Sequence, residues 1–285
     1  GWVKDYSQIK SVIWCAGTGQ SGFNALGSIL CGDVNPSGRT IDTFVYDLTQ
    51  TPTANNFGNF TYTNMDEFKA NAFGTDTIPA FVNYVEGIYV GYKFYETAAA
   101  EGLIDYDKTV VYPFGRGLSY TTFTQTLNSV TEADGTITVD VTVTNTGSAS
   151  GKEVVEVYYN PPYTNGGIEK ASANLIGFAK TSELAPGASE NVTVTFKAED
   201  MASYDTYGKG CYVLEKGDYV ISINADSHTV LDSKVYNVAS DIVYDASNKR
   251  ESDVEVADNK FDFAEGNVTY LSRADGFANY TEATA

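Results

Sequence analysis

From Thr136 to Thr144 the chain reads Thr-Ile-Thr-Val-Asp-Val-Thr-Val-Thr, an unbroken alternation of polar and apolar side chains. Successive side chains of a strand point to opposite faces, so this period of two commits the segment to a strand with one face in a core and one in water. Similar runs follow at 154–159, 174–180, 190–197, 211–214, 218–225 and 229–236. Turn-forming groups separate them, among them Asn145-Thr-Gly147, Ala185-Pro-Gly187 and Lys216-Gly-Asp218. About seven short strands in roughly 115 residues predict a β-sandwich over 124–238.

The first 110 residues have a different character. Residues 10–16, Lys-Ser-Val-Ile-Trp-Cys-Ala, are a short apolar run that predicts a buried strand. A glycine-rich turn, Gly17 to Gly22, follows. Phe23, Leu26, Ile29 and Leu30 then share one face of a helix, with Ser21 placed as its N-cap and Gly32 as its stop. Strand, turn and helix in that order are half of a parallel α/β unit. Residues 33–39 read as a turn, 40–46 as a further strand and Asn64 to Glu67 as a capped helix start. Residues 85–101 suit a helix in which Ile88, Tyr92 and Tyr95 share a face and Gly102 ends it; a strand over Ile88-Tyr-Val is the rival reading. The predicted class is therefore α/β plus all-β, a partial parallel α/β domain followed by a sandwich. Between them, Tyr112 to Phe123 carries Pro113, Gly115 and Gly117 beside Phe114, Leu118, Tyr120 and Phe123, which predicts an interdomain clamp over 111–123. Residues 239–285 are acidic and polar and predict an extended linker or tail.

Composition excludes several function classes. There are 37 Asp and Glu against 18 Lys and Arg, a net charge of −19. Phosphate backbones and anionic membranes call for the opposite sign, so neither nucleic acid nor a membrane surface is an expected partner. A neutral sugar is compatible with such a surface. The three cysteines, Cys15, Cys31 and Cys211, have no zinc-site spacing and are read as buried free thiols rather than as a disulfide framework. His228 is the one histidine, which excludes multi-histidine metal sites and makes a surface or core role the expected one. Gly17-x-Gly19-x-x-Gly22 matches the dinucleotide fingerprint, with Asp42 about twenty residues on. Yet a Pro-Ser-Gly turn interrupts the unit and Asp42 falls inside the candidate strand, so a structural tight turn is expected and no cofactor. Asn59, Asn191, Asn267 and Asn279 head Asn-x-Ser/Thr triplets, a weak signal in so threonine-rich a chain.

Four segments in order resemble glycoside hydrolase family 3: Trp14 to Ala25, Gly32 to Arg39, Tyr84 to Thr97 and Tyr112 to Phe123. The stretch from Gly151 to Tyr158 resembles that family's fibronectin type III-like domain. Lys93, Arg116 and Thr40-Ile-Asp42 depart from the family's usual residues without disturbing any element. Phe261 to Arg273 is similar to the stretch that enters the barrel in members whose α/β and fibronectin-like domains come first, which places the expected barrel downstream. The resemblance implies a bacterial β-glucosidase-type enzyme, exo-acting and retaining, that removes terminal β-linked sugars from a β-glucoside or oligosaccharide. Bacterial cytoplasm and secretion both stay open.

Retaining hydrolysis needs two carboxyl groups about 5–5.5 Å apart, one as nucleophile and one as acid/base. The resemblance implies a nucleophilic Asp on the barrel and, in many members, a Glu upstream of the segment at Trp14. Neither position falls in this chain, so no catalytic residue is assigned and the chain alone is expected to be inactive. Of its own acids, Glu86 is expected to pair with Lys93 two helical turns away, Asp66 and Glu67 to cap a helix, and Glu96 is a further candidate. Gln20, on the glycine-rich turn, is the substrate-proximal candidate, because loops after α/β strands often border ligand sites. The rival function is a non-catalytic carbohydrate-binding or adhesion module, a common use of fibronectin-like sandwiches.

Overall fold

The computed structural model describes residues 2–56, 70–72, 75–77, 82, 84–255 and 269–280. The helix start expected at Asn64 to Glu67, with its candidates Asp66 and Glu67, lies outside those residues, as do Asn59, Asn267 and positions 261–268.

The N-terminal part opens with helix α1, Gly22–Cys31. Gly32 ends it in the left-handed conformation at φ 81°, and the Gly32 and Asp33 amides return to Ile29 and Ser28 carbonyls, a glycine stop of the expected kind. Ser21 stands at the N-cap without a side-chain hydrogen bond. The buried strand expected at 10–16 is not formed; Val12, Ile13 and Trp14 are exposed. A strand is held by a neighbour's backbone groups, and no described strand pairs with this run. The strand expected at 40–46 shortens to β1, Phe44–Val45. Helix α2, Pro52–Asn56, and the paired strands β2, Ala70–Ala72, and β3, Thr75–Thr77, follow.

Helix α3 covers Tyr92–Ala100, shorter than the 85–101 expected, and the rival strand does not form. Gly87 and Gly91 take φ of 56° and 59°, a left-handed backbone that breaks any helix started at residue 85. Ile88 therefore lies outside the helix and is exposed. The short helix α4, Tyr106–Thr109, leads into β4, Val110–Tyr112, which pairs antiparallel with β1.

Six of the seven expected runs form strands of the sandwich; the run at 211–214 goes to a third sheet, and Phe123–Ala133 is a sandwich strand that no expected run covered. One sheet is β5 (Phe123–Ala133), β6 (Thr136–Asn145) and β9 (Ser189–Lys197); the other runs β13 (Val230–Val238), β12 (Gly217–Asn224), β7 (Val154–Asn160) and β8 (Asn174–Lys180). All pairs are antiparallel. β5 and β6 turn through Asp134 and Gly135, both at positive φ, the two-residue hairpin that matches strand twist. Ile137, Val139, Val141 and Val143 point inward from β6 to meet Val155, Val157, Ile221 and Ile223. A small third sheet joins β10 (Ser203–Tyr204), β11 (Tyr212–Leu214) and β14 (Ile242–Tyr244).

Residues 239–285, expected to be an extended linker or tail, contribute to the fold at two places, while the described stretch between them is mostly exposed, Val254 at 90%. β14 completes the third sheet, and residues 269–280 return to the N-terminal part. There Leu271 and Phe277 are buried with Val45, Val85, Tyr89, Phe94, Tyr95, Ala98 and Val110 in a second core. The apolar residues of the tail are few but large, and that core offered them more buried area than water did. Cys15 and Cys31 are free and exposed rather than buried; only Cys211 is a buried thiol. No described helix is long and apolar enough to cross a membrane.

Candidate functional site

A cluster of ionisable groups lies on the seam between the N-terminal part and the sandwich. Strand β7 creates it. Val155, Val157 and Tyr159 face the sandwich core, while Glu156 and Tyr158 point the other way and are buried too. A strand buried on both faces is covered by something beyond its own sheet. Here the cover is the segment after β4 together with Tyr92 of α3: the Tyr92 ring stacks on Phe114 at 4.7 Å and meets Tyr158 edge-on at 6.1 Å. Phe114 is half-buried, and Leu118 and Tyr120 of the expected apolar clamp are exposed. The clamp segment is held mainly by hydrogen bonds: Gly115 N–H donates to the Thr40 carbonyl, and the Phe114 carbonyl accepts from Ser227 N–H, each at 2.8 Å.

Glu156 sits under Gly115, whose φ of 82° and missing side chain let the backbone close directly over the carboxylate. Tyr158 donates its hydroxyl proton to Glu156 Oε2 at 2.9 Å. Burial pushes the Glu156 carboxyl up to about 7; the Tyr158 hydrogen bond and the Arg39 charge pull the other way, and Asp226 and Glu153 add to the rise. Arg39, from the turn after α1, pairs with Glu153, and Asn35 of the same turn donates to the Ser150 carbonyl at 2.9 Å.

Glu96 occupies the other half of the seam. Its Oε1 accepts from the Tyr106 hydroxyl at 2.7 Å and from Ser227 Oγ at 2.9 Å, and its Oε2 lies 2.8 Å from His228 Nδ1. The His228 ring lies flat on Tyr106, with centroids 3.6 Å apart and planes 6° from parallel. Asp226 shapes the loop that presents Ser227 and His228, because its Oδ1 accepts from the His228 and Thr229 amides at 3.1 and 2.8 Å. The Glu96 hydrogen bond raises the His228 pKa above its ordinary 6.5, against desolvation.

This arrangement joins domains; it has no room for a sugar. Glu96 is buried with three donors on its two oxygens, and a single methyl group on Gly115 would collide with Glu156. Glu86 is buried as well and accepts from Thr53 Oγ1 at 3.2 Å. Its expected ion pair with Lys93 is not among those of the described residues, because α3 starts only at Tyr92 and Glu86 is not two turns below Lys93. Gln20 is exposed on the turn before α1, beside Gly19 at φ 63°. The Gly17 to Gly22 turn is followed by a helix but preceded by no strand, so the dinucleotide geometry is not assembled. Among the described residues no group of three or more His, Cys, Asp or Glu is placed to hold a metal ion.

Sequence reasoning named Glu96 and His228 separately and missed that they meet. It also missed Tyr106, Asp226 and Ser227. One signal was readable: a carboxylate at Glu156 amid Val154, Val155, Val157, Tyr158 and Tyr159 is out of place on a solvated strand face.

Residues 2–92 match the Glycosyl hydrolase family 3 C-terminal domain, and residues 153–227 match the Fibronectin type III-like domain. Beta-glucosidase A of Butyrivibrio fibrisolvens is 38% identical over 236 residues, covering 76% of this chain and 25% of the relative. Beta-glucosidase B of the fungus Emericella nidulans is 35% identical over 218 residues, 76% of this chain and 24% of its own, so the likeness does not single out a bacterial source. Among solved structures, beta-glucosidase 3B of Thermotoga neapolitana in complex with alpha-D-glucose superposes with a TM-score of 0.65 at 32% identity, over 82% of this chain and 28% of that one. The chain thus spans about a quarter of the length of the relatives it matches. With both domain matches in chain order on an α/β plus sandwich fold, the chain belongs to glycoside hydrolase family 3, as a portion carrying the C-terminal domain and the fibronectin type III-like domain.

Proposed function

We propose that this chain is the non-catalytic portion of an exo-acting, retaining β-glycosidase of β-glucosidase type, which hydrolyses terminal non-reducing β-linked sugars. In this reading the sandwich braces the α/β portion, and the α/β portion helps to form the sugar site together with a (β/α)8 barrel carrying the nucleophile. The observation that carries the reading is the 38% identity to a beta-glucosidase over 76% of this chain, a span longer than either domain match. A binding module would share only the sandwich.

The two carboxyl groups that retaining hydrolysis requires are supplied from outside residues 1–285. The buried carboxylates among the described residues, Glu86, Glu96, Glu156 and Asp226, are committed to internal hydrogen bonds. Gln20, on the exposed turn before α1, borders the sugar site in this proposal.

The test is an assay with an aryl β-glucoside, run on residues 1–285 alone and on a protein that joins them to a family barrel and to the upstream part of the α/β domain that carries the acid/base Glu. No turnover is expected from the first and retaining turnover from the second. Turnover by residues 1–285 alone that a covalent active-site inactivator abolishes would overturn the assignment. In the joined enzyme, Gln20→Ala is expected to raise KM more than it lowers kcat.

A further inference from the structure

The chain has one histidine, and it stands at the edge of the seam, its side chain 44% exposed and its Nδ1 turned onto Glu96. The groups facing His228 come from four places. Glu96 of α3 holds its Nδ1, and Tyr106 and Asp107 of α4 lie under and beside the ring. Asp226 belongs to its own loop, and Arg116, from the segment after β4, reaches Asp226 at 3.7 Å. Further along the seam Glu156 and Glu153 face Arg39. Glu96, Asp226, Glu153 and Glu156 are thus matched by two permanent cations, Arg39 and Arg116, of which Arg116 is 44% exposed.

We propose that this seam is a pH-responsive latch, in which protonated His228, held between the Glu96 carboxylate and the Tyr106 ring, fastens the sandwich to α3, and loss of the proton loosens the 224–229 loop from that helix. Neutral imidazole can still donate through Nδ1, so the contact persists in weakened form. What disappears is the charge assistance, which roughly doubles the strength of such a bond, and the attraction of a cation for the aromatic face beneath it.

The sign follows from linkage. The folded pKa lies above the ordinary 6.5. The stabilisation is therefore fully present below the unfolded value and is lost as pH rises through the folded one. Glu156 is buried in the same seam and loses its proton in the neutral range, which also loosens the joint as pH rises. The two groups reinforce each other, and variants must separate them.

Because His228 is unique, an NMR titration of its imidazole reads the latch directly, in this chain and in any longer protein that contains it. A midpoint above 6.5 is expected, and it should fall in Glu96→Gln, which removes the partner that raises it. Amide exchange in α3, taken relative to β12 and corrected for intrinsic rates, is expected to quicken at least about fivefold between about pH 6 and about pH 8.5. That step should survive in Glu156→Gln, shrink in His228→Gln and vanish only when both are replaced. A midpoint at or below 6.5 that Glu96→Gln leaves unmoved would overturn the proposal, as would an undiminished exchange step in His228→Gln. Should His228→Gln fail to fold, the titrations of the native chain and of Glu96→Gln decide alone.

Discussion

Phe277 meets Tyr89 edge to face, with ring centroids 4.8 Å apart and planes perpendicular. The contact joins the last described segment to the stretch before α3 and closes the second core. Nearby, Glu169 accepts hydrogen bonds from the Tyr89 hydroxyl, from Ser272 Oγ and from the Arg273 amide, so ring and backbone are pinned together. Phe277 is 1% exposed and also packs against Phe94. Phe277→Ala is expected to cost about 3–5 kcal/mol, as for other buried phenylalanines. Denaturant unfolding checks this, and a loss below about 1 kcal/mol would mean that the tail is not part of the core.

Gly115→Ala is expected to destabilise the seam on two counts. Its φ of 82° disfavours any side chain, and the added methyl would press on the Glu156 carboxylate, which has Tyr158 behind it. A loss of about 2–4 kcal/mol is expected. If Glu156→Ala in the same background recovers part of that loss, the collision is its source.

Glu156 makes stability fall with rising pH. Its carboxyl is raised from 4.5 to about 7 when folded. The folded state therefore binds the proton more tightly than the unfolded chain does. Its contribution is complete below 4.5 and is lost between 4.5 and 7, about 3 kcal/mol in all. Glu156→Gln should remove that slope. Unfolding free energies at several pH values measure it, and an unchanged slope would remove Glu156 as its cause.

Replacing Phe114 by Ala would cost about 3–5 kcal/mol if the ring were fully buried. Phe114 is half-buried, and its main partner is the Tyr92 ring stacked at 4.7 Å. A smaller cost of about 1–2 kcal/mol is now expected, of which the stacking supplies roughly half. A double-mutant cycle with Tyr92→Ala isolates that share, and no coupling would show that the stack contributes nothing.

Six of the seven sandwich strands were legible, because a period of two has one structural meaning and the turn residues between strands say where each ends; β5, Phe123–Ala133, was missed, and the run at 211–214 went to the third sheet. β8 spans the expected 174–180, and β6 extends its expected run by one residue. The α1 stop at Gly32 was equally local. What went astray depended on partners distant in sequence. Residues 10–16 have strand composition, yet no described strand pairs with them. Residues 85–91 carry helix-like spacing, yet Gly87 and Gly91 adopt a backbone that spacing does not reveal.

The seam shows the same division. That Glu156 is a carboxylate among valines and tyrosines is written in the sequence, as is the uniqueness of His228. That Glu96 and His228 share a hydrogen bond 132 positions apart is not. Side-chain alternation and glycine stops act between neighbours, so sequence alone determined six of the seven sandwich strands and the end of α1. Burial of Phe277, the shift at Glu156 and the Glu96–His228 pair arise only when separate elements close on each other and exclude water, and the tertiary structure alone decided them.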